Sequence, residues 1–177
     1  GLLFLPVLIS RTLTRKTVRF WSKFIIFFLL NFLKIKIVFK NEYLKDNKGQ
    51  VIAANHQSVF DTIFFLAAFD KTIYIIKKEL AFIPVYGWYA MRLGNIYIDR
   101  KKKIESIKKI TTNIVDFINK GYKVIIFPEG TRQAPKTIGA IKPGVFLIQE
   151  RLKKPIFPVY IDSGHTWPKN KIGRAHV

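Results

Sequence analysis

The chain of 177 residues contains no cysteine, three histidines, one methionine and only 11 acidic residues. Without cysteine there is no disulfide framework, no thiolate-ligated zinc or iron–sulfur centre, and no thiol nucleophile. Three histidines and no cluster of carboxylates leave no ligand set for a catalytic metal, so no metal and no resident cofactor is expected. No apolar run reaches the ~20 residues that a membrane-spanning helix needs. The shortage of acid leaves 31 Lys and Arg against 11 Asp and Glu, a net charge of +20 and a pI near 10.2. That balance points to an anionic partner: nucleic acid, a membrane surface or a phosphorylated substrate. Lysine supplies most of the positive charge. Because the planar guanidinium is the better reader of phosphate, the positions of the few arginines carry more information than the lysine total.

What is present narrows the field. Hydrophobic residues make up 49% of the chain and aromatics 15%, which excludes a disordered basic tail, and the length suits one domain with one core. Leu2 to Ile9 is apolar and is followed by Arg11, Arg15, Lys16 and Arg19; a second apolar run, Phe20 to Leu33, is broken by Lys23 and Asn31. Residues 1–33 are therefore read as a membrane-associating N-terminal segment. The first run reads as the end of a longer span or signal anchor, and the second as an aromatic-rich helix lying in the interface. A buried core helix is the alternative. If the first run crosses a bilayer, the basic residues after it place the rest on the cytoplasmic side. At the other end, residues 172–177 leave the Lys- and Ile-rich style of the chain and read as a non-native tail.

Between these ends the pattern is α/β: a single domain with a mixed central sheet flanked by helices. Ile35, Ile37 and Phe39 alternate with lysines, a period-two strand with one wet face. Further strands are expected at Val51–Ala54, Ile73–Ile76, Ile96–Ile98, Val124–Phe127 and Ile156–Ile161. Ile104, Ile107, Ile110, Ile114, Phe117 and Ile118 recur at helical spacing, with Gly121 as the stop. A shorter helix is expected over Phe146–Leu152.

Four polar groups stand out. In Asn55-His56-Gln57-Ser58-Val59-Phe60-Asp61, Ser58 and Asp61 have the spacing of a capping box, so a helix is expected to begin near Ser58. His56 then lies in the preceding loop, where Asp61 can reach it. A carboxylate on one ring nitrogen fixes the tautomer and leaves the other free as a base. The same spacing also fits a helix cap beside a surface histidine. In Gly94-Asn95-Ile96-Tyr97-Ile98-Asp99-Arg100 a strand ends in an acid and a guanidinium, either a ligand contact beyond a strand end or a surface pair. In Phe127-Pro128-Glu129-Gly130-Thr131-Arg132, Gly130 permits a tight turn, and Thr131 with Arg132 suits an anion. Pro155-Ile156-Phe157-Pro158-Val159 is a strand with two prolines, which suits a sheet edge.

In this order, the four groups resemble the four sequence blocks of the glycerolipid acyltransferase superfamily, and within it most closely the bacterial 1-acylglycerol-3-phosphate acyltransferases. The resemblance covers Ile35 to Lys169, and Lys77-Lys78-Glu79-Leu80 and Ile83-Pro84-Val85-Tyr86-Gly87-Trp88 share it. It implies that residues 34–171 are an acyltransferase catalytic domain, incomplete at its C-terminus. It further implies that His56, oriented by Asp61, is the general base that activates the free sn-2 hydroxyl of lysophosphatidic acid. Acyl-CoA or acyl-carrier protein is the implied co-substrate and phosphatidic acid the product. By the same resemblance Arg100, Glu129, Gly130, Thr131 and Arg132 hold the glycerol phosphate, and Pro158 shapes the acyl-donor side. Ser58 is better explained as a cap than as a nucleophile. Lys77, Lys78 and Lys101–Lys103 suit anionic headgroups or CoA phosphates, or simply a solvated face. Phe82–Tyr89 suits an acyl tunnel, or plain core packing.

The implied partners are a membrane lipid, an anionic membrane surface and an acyl donor, acyl-CoA or acyl-carrier protein, at the cytoplasmic face of the inner membrane of a bacterial cell. No nucleic acid is expected. Acylation of glycerol 3-phosphate or another lysophospholipid is the alternative within the class. A basic nucleic-acid- or membrane-binding module without catalysis is the alternative outside it; the chain shows no aromatic–basic block of the kind RNA-binding sheets carry and no zinc-ligand spacing.

Overall fold

A computed structural model describes residues 2–32, 34–38, 40, 44, 48–99 and 105–167. A 3₁₀ segment, Leu2–Ile9, leads into helix α1, Arg11–Asn31. The core then runs β1 (Gln50–Ala54), α2 (Val59–Ala68), β2 (Thr72–Lys77), a 3₁₀ turn (Lys78–Phe82), α3 (Tyr86–Leu93), β3 (Ile96–Ile98), α4 (Glu105–Asn119), β4 (Lys123–Ile126), α5 (Pro143–Leu152) and β5 (Ile156–Val159). The five strands lie in the order β3-β2-β4-β1-β5.

Every pairing is parallel, which corrects the expected mixed sheet. The reason is α3, which the sequence reading left unassigned. With a helix between β2 and β3, each of the four strand-to-strand connections is a helical crossover, and crossovers return the chain in the same direction. All five carboxyl ends therefore share one edge of the sheet.

Alternate strand residues feed two cores, as a parallel sheet covered on both faces requires. Val51, Ile73, Ile75, Val124 and Ile126 pack with Ile110, Ile114 and Ile118 of α4 and Ile148 and Leu152 of α5. Ile52, Tyr74 and Ile125 pack on the other face with Phe65 and Phe69, supplied by α2 and the residue after it. The helical spacing read from the isoleucines is thus a buried stripe of α4 from Ile107 to Ile118, and Ile104 lies outside the described residues. Gly121, at φ +79°, terminates that helix in the left-handed region a side chain disfavours.

The expected strand over Ile35–Phe39 is not formed. Residues 34–38 join no strand ladder, Lys34 sits at φ +51°, Ile35 and Ile37 are half-buried, and Phe39 lies outside the described residues. Period-two alternation specifies one wet and one dry face; it does not supply a neighbouring strand. β5 lies at the sheet edge, where its prolines cost no interior ladder bonds.

Helix α1 spans 21 residues, yet five cationic residues between Arg11 and Lys23 make it far too polar to cross a bilayer. Among the described residues, no helix is long and apolar enough to do so. Ser10 caps it and Thr14, Ser22 and Leu29 are buried. Phe20, Phe24, Phe27 and Phe28 instead point outward, with Phe20 72% and Phe24 58% exposed. Their spacing puts them on one stripe of the helix.

Candidate active site

The loop leaving β1 carries Asn55, His56, Gln57 and Ser58 straight to the N-terminus of α2. Ser58 is its N-cap: the Phe60 amide donates to Ser58 Oγ at 3.1 Å, and Asp61 completes the capping box from the first turn. The Ser58 hydroxyl is thus buried and engaged, which agrees with its reading as a cap.

The cap and the histidine partner turn out to be the same residue. Asp61 Oδ2 lies 2.9 Å from His56 Nδ1 and also accepts the amides of Gln57 at 2.8 Å and Ser58 at 2.9 Å. Oδ1 accepts from the Ser163 hydroxyl. Asp61 is wholly buried. An uncompensated buried carboxylate would destabilise the fold by several kcal/mol, and four donors at a helix N-terminus offset that. His56 keeps a partly exposed ring, stacked on Phe127 with centroids 4.0 Å apart. With Nδ1 directed at the carboxylate, Nε2 is the nitrogen left to act as a base.

The loop leaving β4, next to β1 in the sheet, runs against this pair. Gly130, at φ +67°, closes the turn with its amide donating to the Phe127 carbonyl at 3.0 Å. The Gln133 amide donates to the His56 carbonyl at 2.7 Å, so residues 129–133 lie alongside the histidine loop. Glu129 is buried, its carboxylate bridging two loops: Oε2 accepts the His56 amide at 3.0 Å and Oε1 the Gly139 amide at 2.9 Å. Glu129 therefore braces the site through backbone. Thr131 is exposed and Arg132 half-buried in the same loop, and Pro158 pairs in register with Ala53 of β1 and is exposed.

The second block stands apart. β3 is three strands from β1, on the order of 14 Å across the sheet. Asp99 faces Lys78 at 3.5 Å. Arg100 and Lys101–Lys103 lie outside the described residues, as do residues 168–177.

Three contributors were not assigned from sequence. Phe127 was read as the end of a strand, not as the platform under His56. Asn55 exchanges two hydrogen bonds with the backbone of Ile161, at 2.8 and 2.6 Å, tying the histidine loop to the chain leaving β5. Ser163, 102 residues from Asp61, gave no local signal at all.

Burial pushes the Tyr74 phenol well above its ordinary range, reinforced by nearby Tyr86 and Asp61, and its hydroxyl donates to the Thr62 carbonyl at 2.6 Å. Burial also raises Tyr86 and Tyr97. No group of three or more His, Asp or Glu able to hold a metal occurs among the described residues.

Residues 36–162 match a family model described as Acyltransferase. A 1-acyl-sn-glycerol-3-phosphate acyltransferase of Pseudomonas aeruginosa is 29% identical over 164 residues, covering 93% of this chain and 64% of that protein. A putative 1-acyl-sn-glycerol-3-phosphate acyltransferase of Caenorhabditis elegans is 32% identical over 124 residues, 70% of this chain and 47% of its own. The crystal structure of the 1-acyl-sn-glycerophosphate (LPA) acyltransferase from Thermotoga maritima superposes with a TM-score of 0.69 at 23% identity, covering 91% of this chain and 63% of that one. The chain thus spans about half to two thirds of the length of these relatives.

Proposed function

This chain belongs to the acyltransferase family, and from that premise we propose that it moves a fatty acyl group from an acyl thioester to the free hydroxyl of 1-acylglycerol 3-phosphate, giving phosphatidic acid. The observation that carries the reading is the His56–Asp61 pair at the carboxyl edge of the sheet, beside the Glu129–Arg132 loop. Ligands of open α/β sheets bind at that edge. His56 Nε2 takes the proton of the acceptor hydroxyl as its oxygen attacks the thioester carbonyl. The tetrahedral intermediate then expels the thiolate, which receives that proton from the imidazolium. No covalent acyl-enzyme is required, in keeping with a chain that has no cysteine and a Ser58 hydroxyl engaged at a helix cap.

Arg132 and Thr131 hold the phosphate, with Gly130 setting their turn and Glu129 holding the loop rather than the lipid. The family resemblance assigns Arg100, which lies outside the described residues, to the same phosphate. Pro158 keeps the edge strand open beside the acyl donor, which is acyl-CoA or acyl-carrier protein. Apolar groups at the carboxyl edge suit a bilayer substrate. Phe82 and Ile83 follow β2, while Ile138 and Ile141 flank the residue that Glu129 grips, and all four are exposed. Exposure at Phe82 and Ile83 favours a lipid-facing role for this stretch over core packing. The outward aromatics of α1, with the exposed Lys16 and Lys23 on the same stripe, dock the protein on an anionic leaflet, the cytoplasmic face of the inner membrane, while Arg15 and Arg19 turn inward to Tyr122 and Asp70.

The test is acyl transfer in vesicles from acyl-CoA and from acyl-carrier protein, comparing lysophosphatidic acid with a monoacylglycerol that lacks the phosphate. Transfer to lysophosphatidic acid alone, weakened by Arg132→Ala through a raised acceptor KM, is the expected result. Equal transfer to both acceptors would remove the phosphate site.

A further inference from the structure

Asp61 is held from an unexpected direction. Its Oδ2 receives three donors, one of which is the functional one, His56 Nδ1; the other two are fixed backbone amides. Nothing in the histidine loop reaches Oδ1. That oxygen is turned toward the chain leaving β5, where Ser163, itself buried, donates its hydroxyl. The hydroxyl is not placed by chance. The amides of Thr166 and Trp167 both donate to the Ser163 carbonyl, closing a turn on it at 3.1 and 2.9 Å. On either side, Asn55 grips Ile161, and Gln57 Oε1 accepts the Gly164 amide at 3.1 Å. Two residues adjacent to His56 in sequence thus clamp the turn that carries Ser163.

We propose that Ser163 is a positioning residue for the His56–Asp61 pair: by occupying Oδ1 it stops the carboxylate from rotating and keeps Oδ2 on His56 Nδ1. This rests on the acyl-transfer reading above, in which His56 is the base. The alternative occupant of Oδ1 is water. Ser163 borders a cleft of about 70 Å³ lined also by Phe60, Asp162, Thr166 and Trp167, roomy and polar enough to admit water. Truncating the hydroxyl opens Asp61 to that cleft. The carboxylate then gains a mobile partner, and the imidazole loses its single orientation.

The experiment compares the parent with Ser163→Ala and Ser163→Thr by imidazole NMR and by steady-state acyl transfer to lysophosphatidic acid. In the parent, His56 is expected to show one tautomer, protonated at Nδ1, with a hydrogen-bonded proton far downfield. Ser163→Ala should broaden or move that resonance and lower kcat about ten- to a hundredfold, with the acceptor KM unchanged, because misplacement of a reacting group acts on the chemical step. Ser163→Thr keeps the hydroxyl and should restore both. A Ser163→Ala protein with the parental resonance and parental kcat overturns the proposal, whatever its melting temperature. The resonance is read without turnover. A tautomer change in a protein that transfers no acyl group therefore supports the positioning role while refuting the acyl-transfer reading.

Discussion

Replacing Glu129 by Gln separates two roles that its place in the F-P-E-G-T-R block leaves undecided. In the folded chain each carboxylate oxygen accepts one backbone amide, from His56 at 3.0 Å and from Gly139 at 2.9 Å, and the side chain is 3% exposed. Glutamine is nearly isosteric, but only its oxygen accepts; its NH₂ group must face the other amide, donor against donor. A hydrogen bond to a charged group contributes about 1.5–3 kcal/mol, and a buried amide left without an acceptor adds a further ~1 kcal/mol or more. Glu129→Gln should therefore lose roughly 3 kcal/mol, which for a chain of this size lowers Tm by about 6–12 °C. Thermal and urea unfolding measure this. In acyl-transfer kinetics kcat should fall about tenfold, because the His56 backbone is released, while the acceptor KM stays close to the parent value. A variant as stable as the parent, with kcat intact and only the acceptor KM raised, would refute this reasoning. It would show Glu129 to be a direct contact to the glycerol phosphate.

Other outcomes follow from the same geometry. Asp61→Asn can keep its oxygen on His56 and the two amides and turn its NH₂ toward Ser163, so it should fold; kcat should nonetheless drop about 10²–10⁴-fold with the loss of the charge that orients and supports the imidazole. For Tyr74, whose phenol burial holds well above its ordinary range, the unfolded chain ionises first, near pH 10. Its contribution to stability is thus complete below that pH and lost as the pH rises further, so Tm should decline above about pH 10. Tyr74→Phe should flatten that decline while lowering Tm at pH 7 through loss of the bond to Thr62, a net loss of about 1 kcal/mol. Phe20→Ser combined with Phe24→Ser should weaken sedimentation with anionic vesicles severalfold and leave Tm within about 2 °C, since both rings are exposed. Loss of stability without loss of vesicle binding would place those rings in a protein interface.

The fold was legible where burial imposes a period. Apolar runs marked all five strands of the sheet within a residue or two, the isoleucines of α4 marked its buried stripe, and Ser58-x-x-Asp61 marked the start of α2. Helix α3 escaped because Pro84, Gly87 and three aromatic rings conceal its short periodicity, and with it went the parallel sense of the sheet. The segment after α1 carried a strand's alternation without a strand's partner. In the site, His56 and Asp61 were readable because they stand five positions apart and one loop joins them. The contacts of Asp61 with Ser163 and of Asn55 with Ile161 close over more than a hundred residues, through the adjacency of β1 and β5 that no local pattern encodes. Glu129 was found but its partners were not: the sequence marks an acid in a turn, and only the packing of the loops after β1 and β4 shows that the acid binds backbone.

The most direct test of the account is acyl transfer from labelled acyl-CoA to lysophosphatidic acid in vesicles, with His56→Ala in parallel and the folding of both checked by thermal unfolding. The account predicts phosphatidic acid from the parent and at least a hundredfold less from a folded His56→Ala protein. Equal product from the two would contradict it, removing His56 from the chemistry and the Asp61–Ser163 arrangement behind it from any part in the reaction.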